Sequence, residues 1–238
     1  REWTVAWWEN RMGEIKKMKE IIENPSQEEE KSDTQVPVSQ EVANCYTPVP
    51  DKGSSNHTTH YIPTALLPFI GRSADDLVSN VNRHYVKNQI TDVINTEAPI
   101  SRSLLCKRIL AAWDISRLTQ RLDTYFESLF QEIPHYSKSH EEFVFFWKNE
   151  EQAKSYTTFR SKSERDAVDL PPEEVANGIK YILENEMSLP TKDLSRITAQ
   201  LFGFARGGSN VDAAMHRGIR EAVNKGYIKV DNGRAIIQ

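Results

Sequence analysis

One apolar pattern occurs twice in this chain, at a fixed offset of 89 residues. Ile90, Val93 and Ile94 recur as Ile179, Ile182 and Leu183, then Glu97 as Glu186 and Ile100 as Leu189. The correspondence continues through Leu105 and Leu194, Trp113 and Phe202, Ile115 and Phe204, Arg117 and Arg206, Leu122 and Val211, and Phe126 and Met215. One slip is expected, because Ile109 falls opposite Thr198 and its apolar counterpart is Ile197. A pattern that returns at a fixed period marks one supersecondary unit used twice, so the work of that unit is expected to be the work of the chain.

The unit can be read from its periodicity. Ile90, Val93 and Ile94, like Ile179, Ile182 and Leu183, stand at helical spacing. Pro99 with Ile100, and Leu189 with Pro190, end that helix and bring in a short extended step. Ser101 and Thr191 are the expected N-caps of a second helix ending near Trp113 and Phe202. A tight turn follows, Asp114 to Arg117 and Gly203 to Arg206, with Gly203 suited to a left-handed cap. Third helices are expected from about Leu118 to Ile133 and Ser209 to Asn224. The period then changes to two. Tyr227 to Ile237 around Asn232-Gly233 predicts a hairpin, and His135 to Glu142 with Phe143 to Trp147 predicts a longer counterpart. The fold class expected is mainly α with small β-hairpins, an α+β chain of two tandem winged helix-turn-helix modules, residues 85–170 and 171–238.

Ahead of these modules, Trp3 to Trp8 and the amphipathic stretch Glu14 to Ile22 look like the last strand and helix of something larger, a remnant over residues 1–23. Residues 24–84 are expected to be linker and lead-in, with Pro25, the acidic run Glu28 to Glu30, Pro37, Pro48, Pro50 and Gly53 in the linker. No apolar run approaches the ~18 residues of a membrane span, and the chain start lacks a signal-peptide pattern. Cys45 and Cys106 give no metal spacing and point to a reducing cytoplasm.

The segment EAPISRSLLCKRILAAWDISRLTQRL, Glu97 to Leu122, resembles a small bacterial domain family of unknown function. Glu97, Pro99, Leu104, Leu105, Arg108 and Trp113 to Arg117 carry the likeness. That family lies near the C-terminus of very large superfamily 1 helicase-like proteins, behind a restriction-endonuclease-like domain of the Vsr type. The WWEN segment at Trp7 to Asn10 and the helix after it look like the close of that nuclease domain. The resemblance implies a C-terminal fragment with its active parts upstream, and upstream helicase and nuclease domains as its partners in the parent chain.

Net charge is −4, but its distribution is uneven. From Ser188 to Gln238 eight basic residues face four acidic ones, so the second module is the better match for a phosphate backbone. The expected DNA-contacting residues are Arg117, Thr119, Gln120 and Arg121 in the first module. In the second they are Arg206, Ser209, Asn210, Arg217, Arg220, Lys229 and Arg234. Each has a plainer role available as a cap, a turn brace or the polar side of a helix. There is no Walker A loop and no acidic-plus-lysine cluster, and Ser101 and Ser103 fit a helix start. His57 and His60 lack further ligands nearby in sequence. The expectation is a noncatalytic accessory region without metal or cofactor that binds DNA weakly and with little sequence preference. A protein-interaction or packing module is the alternative.

Overall fold

Both copies fold in the same element order, helix, short strand, two helices and hairpin. The computed structural model describes residues 57–69, 73–162 and 164–238. The first half comprises β1 (Thr58–Thr59), α1 (Ala74–Val78), α2 (Asn80–Glu97), β2 (Ile100–Ser101), α3 (Arg102–Ala112), α4 (Gln120–Phe130), β3 (Tyr136–His140) and β4 (Phe143–Trp147). A connection of α5 (Glu150–Ser155), β5 (Phe159–Arg160) and a 3-10 turn (Ala167–Asp169) leads to the second half. That half comprises α6 (Pro172–Glu186), β6 (Ser188–Pro190), α7 (Thr191–Leu201), α8 (Ser209–Asn224), β7 (Ile228–Asp231) and β8 (Arg234–Ile237). The class is mixed α and β. In each half the short strand adds to the second hairpin strand, giving antiparallel sheets of order β2-β4-β3 and β6-β8-β7, while β1 and β5 pair in parallel.

The offset of 89 extends to the hydrogen bonds. At the end of α3 the Trp113 amide donates to Ile109, Asp114 to Ala111 and Ile115 to Leu110; at the end of α7 Phe202 donates to Thr198, Gly203 to Gln200 and Phe204 to Ala199. Asp114 and Gly203 both take positive φ, 59° and 96°. Glycine reaches that conformation without strain and aspartate is among the few other residues that tolerate it. The slip expected near Ile109 does not occur, because Thr198 is fully buried in the equivalent place while Ile197 is only partly buried. Its hydroxyl donates to the Leu194 carbonyl at 2.7 Å, so the only polar group of a side chain otherwise shaped like valine is satisfied one turn back.

Other boundaries differ locally. α4 is shorter than expected at both ends, with Thr119 as its N-cap. Ser101 caps α3 through the Leu104 amide, as its position predicts. Thr191 is not an N-cap; it is the first residue of α7, and its hydroxyl donates to Gly233 in the second hairpin. Asn232 and Gly233 both have positive φ, the conformation of the tight hairpin turn that the pair predicts.

Two cores result. Ile90, Val93, Leu105, Ile109, Trp113, Leu122 and Phe126 anchor the first; Val175, Ile179, Leu183, Leu194, Phe202 and Met215 anchor the second. In the second, α6 and α8 approach so closely that a Cβ on Gly218 would lie 2.1 Å from Val175 Cγ1. The stretch read as lead-in is structural where it is described. Leu77 is fully buried in the first core, and Phe69 stacks on Trp113 with ring centroids 4.5 Å apart. The expected strand and helix remnant (1–23) and the linker to Asn56 lie outside the described residues. No helix among the described residues is long and apolar enough to cross a membrane.

Candidate nucleic-acid interface

The third helices of the two halves, α4 and α8, start differently. The first four amides of a helix lack intrahelical acceptors and need a side chain, water or an anion. At α4 the Thr119 side chain accepts from the Leu122 amide, and Arg121, next along the helix, is ion-paired to Asp75. At α8 the N-cap position is Gly208, which has no side chain to offer and makes no capping bond. Gly207, Gly208, Ser209 and Asn210 are all exposed there, as is Arg206 just before them. The same segment carries Asp212 in the first turn of α8, which offsets part of the positive field.

Arg234 lies at the other end of α7. The Thr191 amide donates to Gly233, and the Arg234 guanidinium reaches the Ser188 hydroxyl and carbonyl at 3.2 and 3.3 Å. The 11 residues of α7 span about 16 Å from this point to the turn that leads to Arg206. Lys229 is exposed on β7 and Arg117 is exposed before α4, next to the exposed Gln120.

Arg217 and Arg220 depart from expectation. Both were expected on an open face of α8, but the hairpin of the first half covers that face. Strand pairing explains how. Ser101 pairs with Phe145 and Phe145 with Lys138, the places of Pro190, Arg234 and Asp231 in the second half. Beyond this point the first hairpin has two more residue pairs, Ser139 with Val144 and His140 with Phe143. The overhang reaches α8. Arg217 is only 5 % exposed, with its guanidinium 4.4 Å from the centre of the Phe143 ring. Arg220 is exposed and hydrogen-bonds Glu141 at the hairpin turn. Burial pulls the Arg217 pKa below its ordinary value, with the Glu141 charge pulling upward. Its Nε and Nη2 are buried without a hydrogen-bond partner.

The first strand of that hairpin, β3, is held more firmly. His140 Nε2 lies 2.9 Å from Glu173, and Lys138 pairs with Glu173 and with Glu221 at 3.2 Å. Burial alone would push the Glu173 carboxyl up, but the hydrogen bonds from His140 and Lys138 overcome it and hold the pKa at about 2. A 360 Å³ cavity opens beside this contact, lined by His140, Glu141, Arg217, Arg220 and Val230 among others.

A second polar cluster joins the halves. Glu174, fully buried at the start of α6, receives bonds from Arg160 Nη2 at 2.7 Å, Arg165 Nη1 at 2.9 Å and Arg165 Nη2 at 2.6 Å. Arg160 also donates to the carbonyls of Glu97 and Pro99, both at 2.7 Å, so this one side chain bonds both halves. Both guanidiniums lie over the Tyr61 ring, and the Tyr61 hydroxyl donates to the buried Glu97, which also pairs with Arg108 at 3.1 Å. Burial opposes the Glu174 charge; the two arginines outweigh it and hold its carboxyl at about 2.

Sequence reasoning missed Lys138, His140, Glu141 and Glu173 at the overhang, and Arg160, Arg165 and Glu174 at the cluster. Glu173 and Glu174 follow a proline pair at a helix start, where acids ordinarily complement the helix dipole in solvent, so their burial left no sequence mark. Cys106 is buried, and burial pushes its thiol up to about 12, the opposite of an activated nucleophile.

Residues 75–124, from α1 into α4, match a family described as "Protein of unknown function (DUF3320)". No curated protein matches the chain.

Proposed function

We propose that the described region is a noncatalytic nucleic-acid-binding accessory of two winged helix-turn-helix modules, with the second module contacting the DNA backbone. The observation that carries this reading is the start of α8. An exposed Gly-Gly turn with no capping side chain leaves backbone amides for an anion, and Arg206 adjoins it. Arg234 and Lys229 on the second hairpin supply further charge, in a stretch, Ser188 to Gln238, where eight basic residues face four acidic ones. A recognition helix in this fold meets DNA through its N-terminal residues, the part of α8 that the first hairpin leaves open. In the first module Thr119 and Asp75 occupy the equivalent groups, so its contribution is to orient its neighbour. Phosphate contacts without base-edge readout give affinity without sequence preference.

The test is a titration of the chain with a mixed-sequence duplex across a salt series. Binding weakens with salt, by roughly 0.9 in the log–log slope per phosphate contacted. Replacing Arg206 and Arg234 together by alanine lowers affinity for every duplex and flattens the slope. A double variant that binds as well as the parent favours the second reading, that these modules pack against helicase and nuclease domains of a longer parent. The covering of α8 by the first hairpin is the observation on that side, because it shows a third helix used for packing.

A further inference from the structure

We propose that Arg217 and Arg220 form a second contact surface for the nucleic-acid backbone on α8, and that the Glu141–Glu142 tip of the first hairpin occupies it in place of phosphate until a duplex displaces it. This rests on the nucleic-acid reading above and adds regulation to it.

The hairpin tip is built for this position. The two residue pairs absent from the second hairpin are what carry it onto α8. The turn at their end holds two consecutive acids, with Glu141 at a φ of 57°. Glu141 bonds Arg220, and the charges of both Glu141 and Glu142 act on Arg217. The match is incomplete. Arg217 keeps Nε and Nη2 without an acceptor, the edge through which a guanidinium takes two oxygens of one phosphate. A phosphate entering as the tip leaves therefore satisfies donors that the tip does not.

The tip is also lightly held. The Arg220 and Glu141 side chains are 59 % and 54 % exposed, the kind of pair that solvent and salt weaken. The firm contacts with Glu173 come from Lys138 at the base of the overhang and from His140 in its last residue pair. Only the two-residue turn Glu141–Glu142 can therefore lift while the strands and Phe143 stay docked, which opens the edge of Arg217 rather than its face. Arg217 stands eight residues beyond Ser209 along α8, about 12 Å, so a strand held at the helix start passes close to it.

The experiment compares the chain with three variants, each titrated with the same short duplex at several salt concentrations. E141Q/E142Q frees the arginines. E150Q/E151Q removes equal charge at exposed positions beyond the far end of the hairpin. E141Q/E142Q/R220Q frees the surface and deletes half of it. The proposal expects E141Q/E142Q to bind about tenfold more tightly at low salt, with a slope steeper by roughly 0.9 to 1.8, and R220Q to remove about one contact of that gain. E150Q/E151Q should change affinity less than about twofold, since dispersed surface charge is screened. Equal gains from the two glutamine pairs, or a gain indifferent to R220Q, would overturn the proposal and leave the nucleic-acid reading standing. Failure of the parent and every variant to bind at low salt overturns both.

Discussion

Glu174 shows how much a single side chain can carry when water is excluded from it. Its carboxylate is neutralised by two guanidiniums, one of which also holds two carbonyls of the other half. Glu174→Gln leaves those cations buried without their counter-charge, and the expected cost is about 3–5 kcal/mol, read as a lower urea midpoint at unchanged slope. Acid acts on the same group. The Glu173 and Glu174 carboxyls are held at about 2 in the fold against an ordinary 4.5. Their contribution is complete above the ordinary value and is lost as pH falls from about 4.5 toward 2. Acid titration followed by circular dichroism should show unfolding in that window, and Glu174→Gln should reduce the protons taken up across it.

At the scale of elements, helix starts and close packing decide the outcome. Gly208 has an extended φ of −177° and open space around its Cα, so it tolerates a side chain. Gly208→Asp supplies the missing N-cap and a negative charge where an anion would sit. Thermal unfolding should rise with about 0.5 kcal/mol or more of added stability, while duplex affinity falls. The two readouts move in opposite directions, which separates anion binding at the helix start from a general loss of structure. Gly218→Ala has one direction only. Its methyl would run into Val175 across the α6–α8 contact, and destabilisation of about 1–3 kcal/mol is expected in denaturant melts. Helices and hairpins were legible in the sequence because their apolar periods are regular. Thr198 broke the register on paper because a hydroxyl reads as polar, and nothing in a linear pattern reveals that Leu194 accepts its proton.

For the whole molecule, the repeat at offset 89 correctly anticipated two cores with one element order, since each copy must bury its own stripe. How the copies meet was not legible. Arg217 and Arg220 were read as solvent-facing because a single helix shows only its own polar side; Arg220 is exposed, but the overhang that buries Arg217 and pairs Arg220 belongs to a hairpin more than seventy residues earlier. The connection between the halves has no periodicity, so nothing in the sequence singles out Arg160 and Arg165. Cutting the overhang back to the length of the second hairpin, by deleting Ser139, His140, Phe143 and Val144, should keep both cores and the Lys138–Glu221 pair while removing the contacts of Phe143 and Glu141 with α8. Hydrogen exchange should then rise along α8 from Arg217 to Arg220 without comparable loss in α2 or α3.

The contact between the halves is head-to-tail, hairpin of one copy on third helix of the next, and such contacts can propagate indefinitely when the same two faces recur. Here neither face recurs. The second hairpin is two residue pairs shorter and ends in Asn232-Gly233, so it lacks the acidic projection that a following copy would have to receive. The first copy has Ser128 and Gln131 where the second has Arg217 and Arg220, so it offers no cationic seat to a preceding one. The residues that join the two copies are thus repeated on neither outward face, so the same contact has no counterpart with which to continue.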